Sequence, residues 1–348
     1  MRRVTLLCSS SGEHLGQLYA GFALIEATGR IEVELRTTDR FDPGGGGTIL
    51  QAEIDGHRVV YDTRDISTID SELLAWSTTY FKRGFDPTVV AASKRPGAIR
   101  PLGLNYGVYS DGDWRYRRMA WSLLRLRPNN ARAVATRVAR LSAFGSRFTD
   151  TGRSSASVDA FEEDPAHAGR GVLLLTRTWD PQRVQGERAD MRREMNRTRV
   201  EGIRLLRKEL GPRFVGGLSP STDSVRDYPD LVADPAVVKK PAYLRAMRAS
   251  AVCVTSRGLV DSNGWRLAEY VAAARAIVTE PLAHTVPGEF TAGCNYLEYS
   301  DPQSLLEAVH QLLGDDEKRA AMRAANHGYY LDHVRPDAIV SRTLESLE

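Results

Sequence analysis

The stretch of the sequence that most constrains the fold is residues 251–280, AVCVTSRGLVDSNGWRLAEYVAAARAIVTE. An apolar run ends near Thr255 and gives way to a small polar loop over residues 256–264. An alanine-rich stretch with helical spacing follows, and then a second β-type run over residues 276–279. This order of strand, loop, helix and strand has no signal for a direct turn back, so it predicts a parallel α/β sheet.

The same stretch predicts a ligand site. Parallel sheets bind ligands beyond the carboxyl ends of their strands, where helix N-termini direct backbone N–H groups toward phosphate. Ser262, Asn263 and Gly264 stand at the predicted helix start, where their backbone would face such an anion. Asp261 and Glu269, separated by seven residues, add two hydrogen-bond acceptors there. The plain alternative is a capping turn followed by a solvated glutamate.

The rest of the chain continues the α/β pattern. Residues 3–9, 15–27 and 31–36 read as a β-α-β unit, and residues 48–54 and 57–61 flank an Asp-Gly turn typical of a hairpin. Further elements are predicted in the second half: strands at 172–176 and 214–218, and helices at 187–210, 240–250, 301–313 and 335–348. Asp301 is the predicted N-cap of its helix, with proline at the first helical position.

The length of 348 residues is large for a single core and predicts two domains. A stretch rich in Ser, Gly and acidic residues at 151–170 reads as the linker. We therefore expect an N-terminal domain over residues 1–165, a C-terminal domain over residues 166–334 and a terminal helix over residues 335–348.

Composition places the chain among ordinary globular proteins, with 42% apolar residues and a net charge of +3. The three cysteines lack disulfide or metal spacing, which fits a reducing compartment. The apolar run near the N-terminus is too short for a signal peptide, and no run reaches the ~20 apolar residues of a spanning helix. We expect a cytoplasmic protein.

The stretch around Asp261 and Glu269 resembles the donor-nucleotide site of two-domain glycosyltransferases of the GT-B fold. In the retaining group-1 families, two acidic residues separated by seven others flank the start of such a helix, usually as two glutamates. The segment at residues 262–280, SNGWRLAEYVAAARAIVTE, also resembles the S-x-R-x-x-E-x-x-A stretch of spore-maturation-like and exostosin-like transferases. The resemblance is good over residues 172–334 and loose over the N-terminal half.

The resemblance implies an α/β fold of two Rossmann-like domains with the active site in a cleft between them. The C-terminal domain would bind a nucleoside-diphosphate sugar, the N-terminal domain would offer the acceptor, and no metal or other cofactor would take part. The terminal helix would pack back on the first domain. Asp261 would contact hydroxyls of the transferred sugar and Glu269 the ribose. The acidic pair favours retention of the anomeric configuration, while Asp261 in place of a glutamate leaves inversion open.

Four more residues gain roles through the same resemblance. Arg177, in the loop after the strand at 172–176, would neutralise the diphosphate leaving group. The lysine that usually follows is missing, and Lys240 near a helix start is a further candidate. His14 would take the acceptor proton, as in inverting enzymes, or lie under the transferred sugar. His284, in the loop after the strand at 276–279, would contact sugar or phosphate.

Two other segments remain candidates for the acceptor side. Asp62 or Asp65 would serve as an acceptor-side base, with ordinary turn chemistry as the alternative. Residues 114–147 are rich in arginine and aromatic residues, which suits a membrane surface or an anionic acceptor. Arginine-rich helices that are solvated on one face are the plain alternative. The segment has no nucleic-acid-binding motif, so we predict no nucleic-acid partner.

The sequence thus predicts a glycosyltransferase that moves a sugar from a nucleoside-diphosphate sugar to a glycan, lipid-linked or small-molecule acceptor. Two other hypotheses stay open. The chain would otherwise be a non-catalytic protein that binds a sugar nucleotide or an anionic surface, or a GT-B-fold sugar-nucleotide epimerase.

Overall fold

The computed structural model describes residues 1–8, 13–37, 47–110 and 156–348. The chain forms two compact units. Unit 1 consists of Met1–Ala160, Ala283–Gly288 and Leu331–Glu348, and unit 2 of Phe161–Leu282 and Glu289–Tyr330. The arginine-rich segment at 114–147 lies outside the described residues. None of the described helices is both long and apolar enough to cross a membrane.

Unit 1 is built on a six-stranded sheet with the order β2-β1-β3-β4-β5-β6. Its strands are β1 (Arg2–Cys8), β2 (Ile31–Thr37), β3 (Ile49–Ile54), β4 (His57–Asp62), β5 (Thr79–Lys82) and β6 (Ile99–Pro101). All neighbours pair in parallel except β3, which runs antiparallel to both β1 and β4. The predicted hairpin is confirmed, because Asp55 and Gly56 both adopt the positive φ that a type I′ turn requires.

Helices cover both faces of this sheet. On one face, α1 (Gly16–Ala27) and the C-terminal helix α12 (Pro336–Glu345) share a core with β1, β3 and β4. Gly21 allows α1 to approach α12, since a Cβ there would overlap the carbonyl oxygen of Pro336. On the other face, α2 (Ser71–Trp76) and α3 (Pro87–Ala91) cover a smaller apolar cluster. The β-branched and aromatic strand residues are therefore buried on both sides.

A short parallel pair follows, β7 (Val108–Tyr109) with β8 (Ala156–Ser157), and β8 leads into the short helix α4 (Val158–Phe161). The described part of the predicted linker thus contains regular structure. The small, polar and acidic residues of this linker show neither strand nor helix periodicity, so the sequence did not predict these elements.

Unit 2 is built on a five-stranded parallel sheet with the order β10-β9-β11-β12-β13. Its strands are β9 (Gly171–Thr176), β10 (Phe214–Leu218), β11 (Ser250–Val254), β12 (Ala276–Thr279) and β13 (Leu297–Glu298). The chain adds β10 on one side of β9 and β11 on the other, so the strand order reverses between β9 and β11. The predicted fold class, two α/β units on parallel or mostly parallel sheets, is confirmed.

The helices of unit 2 are α5 (Glu187–Leu210), α6 (Thr222–Asp227), α7 (Pro235–Val238), α8 (Lys240–Ala249), α9 (Trp265–Ala272), α10 (Pro302–Gly314) and α11 (Asp316–Tyr329). Of these, α5, α10 and α11 bury apolar residues in the core around this sheet. The predicted start of α10 is confirmed. Asp301 caps it, and Ser304 returns a hydrogen bond to complete a capping box.

Candidate functional site

The candidate site lies at the carboxyl ends of β9 and β11. Two loops leave the sheet there: the β9 loop (residues 177–186) and the β11 loop (residues 255–264). Because β9 and β11 are parallel neighbours at the point where the strand order reverses, this is where open α/β sheets bind ligands. Arg177 begins the β9 loop, and the predicted residues from Asp261 to Gly264 end the β11 loop.

The β11 loop has an unusual backbone. Val260 and Asp261 both have left-handed conformations, with φ of 55° and 57°. A β-branched residue is rare in this region, and such outliers cluster at ligand sites. The loop is closed by the amide of Gly258, which donates to the carbonyl oxygen of Ser262 at 2.8 Å. Arg257 Nη1 lies 3.2 Å from the exposed carboxylate of Asp261, Oδ1.

The β11 loop ends at the N-terminus of α9. Gly264 is the N-cap residue of α9, and no side-chain hydrogen bond caps the helix. Ser262 and Asn263 are buried, while Gly264 is partly exposed. The backbone of these three residues therefore leads into the positive end of the α9 dipole, as the sequence predicts.

Glu269 lies one turn further along α9 and is only 4% exposed. Its Oε1 accepts a hydrogen bond from Lys240 Nζ at 2.6 Å, and its Oε2 accepts one from Tyr243 OH at 2.7 Å. Arg266 Nη1 lies 3.6 Å from Oε2. Burial raises the pKa of Glu269, but Lys240 and Arg266 more than offset this and hold it below its ordinary value.

Both cations of this cluster lie against the ring of Tyr243. Lys240 Nζ lies 5.3 Å from the Tyr243 centroid and 4.7 Å from that of Phe161, while Arg266 Cζ lies 4.2 Å from the Tyr243 centroid. Aromatic faces stabilise cations at these distances. The side chain of Lys240 is 6% exposed and that of Arg266 is 29% exposed. Arg266, which the sequence analysis did not single out, is therefore the cation of this cluster that reaches the surface.

Arg177 provides a second surface cation. Its guanidinium carbon lies 4.9 Å from the centroid of the Trp179 ring. Although Arg177 is exposed as a residue, its guanidinium is partly desolvated, and this together with the charge of Arg266 lowers its pKa. The two arginines thus lie close enough to repel each other.

Arg199, on α5, links the two loops from below. It is 6% exposed and donates three hydrogen bonds: to Ser256 Oγ at 3.0 Å, to the carbonyl oxygen of Arg177 at 2.7 Å and to that of Arg257 at 2.6 Å. Burial lowers its pKa to about 10. No sequence signal indicates this residue, because a single arginine on a charged helix of an arginine-rich chain does not stand out.

The two predicted histidines belong to unit 1. His14 lies in a helical turn, Glu13–Leu15, between β1 and α1. Burial and the charge of Arg83 lower its pKa. His284 is 8% exposed and lies in the short segment that joins unit 1, next to Thr285, whose amide donates to the carbonyl oxygen of Phe85. The other predicted donor residues, by contrast, lie in unit 2.

Asp62 is fully buried at the carboxyl end of β4. It accepts hydrogen bonds from Lys82 Nζ at 2.9 Å, Tyr80 OH at 2.7 Å and Arg64 Nη2 at 2.6 Å. Burial raises its pKa, but the bonds from Arg64 and the charge of Lys82 prevail and lower it. Asp62 therefore stays ionised to a lower pH than an ordinary aspartate and is poorly suited to take a proton. Asp65, the other acceptor-side candidate, forms an ion pair with Arg83.

Comparison with known families finds a match in the C-terminal part of the chain. Residues 192–345 match a family model described as glycosyl transferase-like. The matched range contains α5 from residue 192 onward and all later elements, and therefore Arg199, Lys240, Asp261 and Glu269. The predicted resemblance to glycosyltransferases is confirmed over these residues. No curated protein is significantly similar in sequence to the chain.

Several solved structures are similar to most or nearly all of the chain at low identity. HepE from Anabaena, in complex with UDP, is 12% identical with a TM-score of 0.38, over 97% of this chain and 96% of its own. Sucrose-phosphate synthase from Thermosynechococcus elongatus is 14% identical with a TM-score of 0.36, over 94% and 92%. The UDP-GlcNAc 2-epimerase from Neisseria meningitidis is 15% identical with a TM-score of 0.37, over 79% of this chain and 63% of its own.

Proposed function

We propose that the protein transfers a sugar from a nucleoside-diphosphate sugar to an acceptor, and that the donor binds at the carboxyl edge of the unit 2 sheet. One observation carries this proposal. Arg177, at the carboxyl end of β9, and Arg266, in the first turn of α9, both lie at the strand-order reversal, and the charge of Arg266 adds to the burial that lowers the pKa of Arg177. A diphosphate bound there would relieve this repulsion.

The arrangement suits a reaction in which a diphosphate departs. The leaving group gains negative charge as the bond to the sugar breaks, and fixed cations and helix N–H groups stabilise that charge. Arg177, Arg266 and the first turn of α9 would supply this stabilisation without a metal ion. Unit 1, with His14, would provide the acceptor side.

The acidic pair divides into two roles in this proposal. Asp261 has a side chain that is 53% exposed and an ion pair with Arg257 that solvent can replace, so its carboxylate would be available to sugar hydroxyls. Glu269 is already bonded to Lys240 and Tyr243 inside the unit. We therefore assign Glu269 mainly to holding Arg266 in place, rather than to contact with the ribose.

Titration calorimetry tests the donor site. Wild type, Arg177→Met and Arg266→Met would be titrated with UDP, GDP, ADP and dTDP and with glucose and N-acetylglucosamine conjugates of each. We expect micromolar binding of at least one ligand and a loss of roughly tenfold or more in each variant, the usual effect of removing a bond to a charged group. Arg197→Met is the matched control, because Arg197 is an exposed arginine on α5 paired with Glu194.

A transfer assay with the ligand that binds then separates a transferase from a binding protein. Release of the nucleoside diphosphate that depends on an added acceptor supports the proposal. Absence of binding to all ligands at millimolar concentration, or equal binding by wild type and both arginine variants, would exclude this donor site.

A further inference from the structure

We infer that Arg199 is the positioning residue of the proposed donor site, a buried guanidinium that locks the β9 and β11 loops into one phosphate-binding surface. The inference presupposes the proposed function and adds a residue that touches no substrate. Arg199 acts through the backbone of Arg177 and Arg257, which lie on different loops.

The geometry uses the whole guanidinium group. One nitrogen, Nη1, binds the β9 loop at the carbonyl oxygen of Arg177, and two others, Nη2 and Nε, bind the β11 loop at Arg257 and Ser256. A planar fork with several fixed donors can join three acceptors in this way, whereas a lysine ammonium cannot reach the same directions with one nitrogen. The two loops are therefore fixed relative to each other by one side chain.

The three acceptors are all neutral oxygens, two carbonyls and a hydroxyl. Within the part of the chain that the structure describes, no carboxylate forms an ion pair with Arg199. With a pKa of about 10 the group is still charged near neutral pH, so a positive charge lies directly beneath both loops. Burying a cation in this way is unfavourable unless its hydrogen bonds are satisfied. The same charge would favour an anion above the loops.

The charge also acts on its neighbour. Burial is the main cause of the lowered pKa of Arg199, the carboxylate of Glu280 opposes the shift, and the charge of Arg177 adds to it, so the two guanidinium groups repel each other in the free protein. The backbone hydrogen bond from Arg199 to Arg177 nevertheless keeps the β9 loop in place. The loop therefore stays organised before any ligand arrives, which reduces the ordering cost of binding.

The test compares a nucleoside diphosphate with its own nucleoside. Wild type, Arg199→Met and Arg199→Lys would be titrated with UDP and uridine, GDP and guanosine, and ADP and adenosine. We expect Arg199→Met to weaken diphosphate binding roughly tenfold or more while nucleoside binding stays within about twofold. Arg199→Lys should recover part of the loss, because it restores the charge but not the fork. Arg204→Met is the control, since Arg204 is an exposed arginine on the same helix.

Hydrogen exchange gives a second readout that needs no ligand. In Arg199→Met the amides of residues 177–186 and 255–264 should exchange roughly tenfold faster, while those of β9 and β11 remain protected. Equal weakening of diphosphate and nucleoside, or unchanged exchange in either loop, would overturn the inference. If wild type binds no nucleotide, the proposed function fails, and the exchange experiment still decides whether Arg199 holds the loops. If Arg199→Met does not fold, the same comparisons are made on Arg199→Lys.

Discussion

Lys240 and Glu269 form a buried ion pair between the first turn of α8 and the second turn of α9, with Nζ 2.6 Å from Oε1. Both side chains are almost fully enclosed, at 6% and 5% exposure. The carboxylate also accepts from Tyr243, so the pair is part of a larger network. Loss of Lys240 would leave this buried carboxylate with only the longer contact to Arg266, at 3.6 Å, as its counter-charge.

We therefore expect Lys240→Met to lower the free energy of unfolding by about 3–5 kcal/mol. Arg193→Met, in the exposed pair with Asp190, should cost only about 0–1 kcal/mol. Urea unfolding of both variants measures the difference. The double variant Lys240→Met/Glu269→Gln should recover part of the loss, because neither of the two buried positions then carries a charge. Equal destabilisation by Lys240→Met and Arg193→Met would show that the buried pair contributes little.

The contact between α1 and α12 should tolerate no side chain at Gly21. A Cβ there would lie 2.9 Å from Val340 Cγ2 and closer still to the carbonyl oxygen of Pro336. We expect Gly21→Ala to lower the free energy of unfolding by about 1–3 kcal/mol, even though alanine favours helix by ~1 kcal/mol. Thermal or urea unfolding measures this. Gly97→Ala is the control, because a Cβ at Gly97 meets nothing within 4 Å. A neutral Gly21→Ala would mean that α1 and α12 are less closely packed.

The buried Asp62 should support unit 1 through its charge. Asp62→Asn removes the counter-charge of Lys82, and we expect a loss of about 3–5 kcal/mol in unfolding free energy. The pKa of Asp62 is below its ordinary value of 3.8, so its stabilisation is present above that pH and is lost as pH falls through the lower folded value. Urea unfolding between neutral pH and pH 3 should show this acid-side loss in wild type and less of it in Asp62→Asn. Equal acid sensitivity of the two proteins would contradict it.

Two histidines of unit 1 should make stability depend on pH in a higher range. The pKa values of His14 and His333 both lie below the ordinary 6.5, with burial as the largest cause and Arg83 or Arg342 as the next. Each folded pKa is lowered, so the stabilisation is complete above pH 6.5 and is lost as pH falls through the folded values. Unfolding free energies should therefore decrease on acidification below this value. The decrease should be smaller in His14→Gln, with exposed His310→Gln as the control; an unchanged slope in His14→Gln would argue against this assignment.

Much of the backbone follows from local sequence signals. The periodic runs predicted at 187–210 and 214–218 coincide with α5 and β10, and the hairpin and the capped start of α10 were readable from turn and cap residues. These signals act within a few residues of one another. The helix predicted at 240–250 ends one residue early, as α8, where the chain enters β11.

The side-chain clusters could not be predicted from local sequence signals. Lys240 was predicted to face the diphosphate, but the fold buries it against Glu269 and two aromatic rings. The position of Lys240 depends on how α8 packs beside α9, and no residue spacing in the sequence indicates that packing. Arg199 was missed for the same reason, since its partners are distant in sequence, whereas Arg266 stands at the arginine of the S-x-R-x-x-E-x-x-A stretch and was given no role. Whether these residues bind a donor stays a prediction.

The way in which the chain is divided between the two units has a practical consequence for dissecting the protein. The chain passes from one unit to the other at Ala160/Phe161, Leu282/Ala283, Gly288/Glu289 and Tyr330/Leu331. A single cut therefore cannot release either unit whole. A fragment that stops at Tyr330 would lose α12 and leave the apolar face of α1 uncovered, so its poor folding would say nothing about unit 2 itself. Isolating unit 2 requires replacing the Ala283–Gly288 segment with a linker as well as trimming both ends.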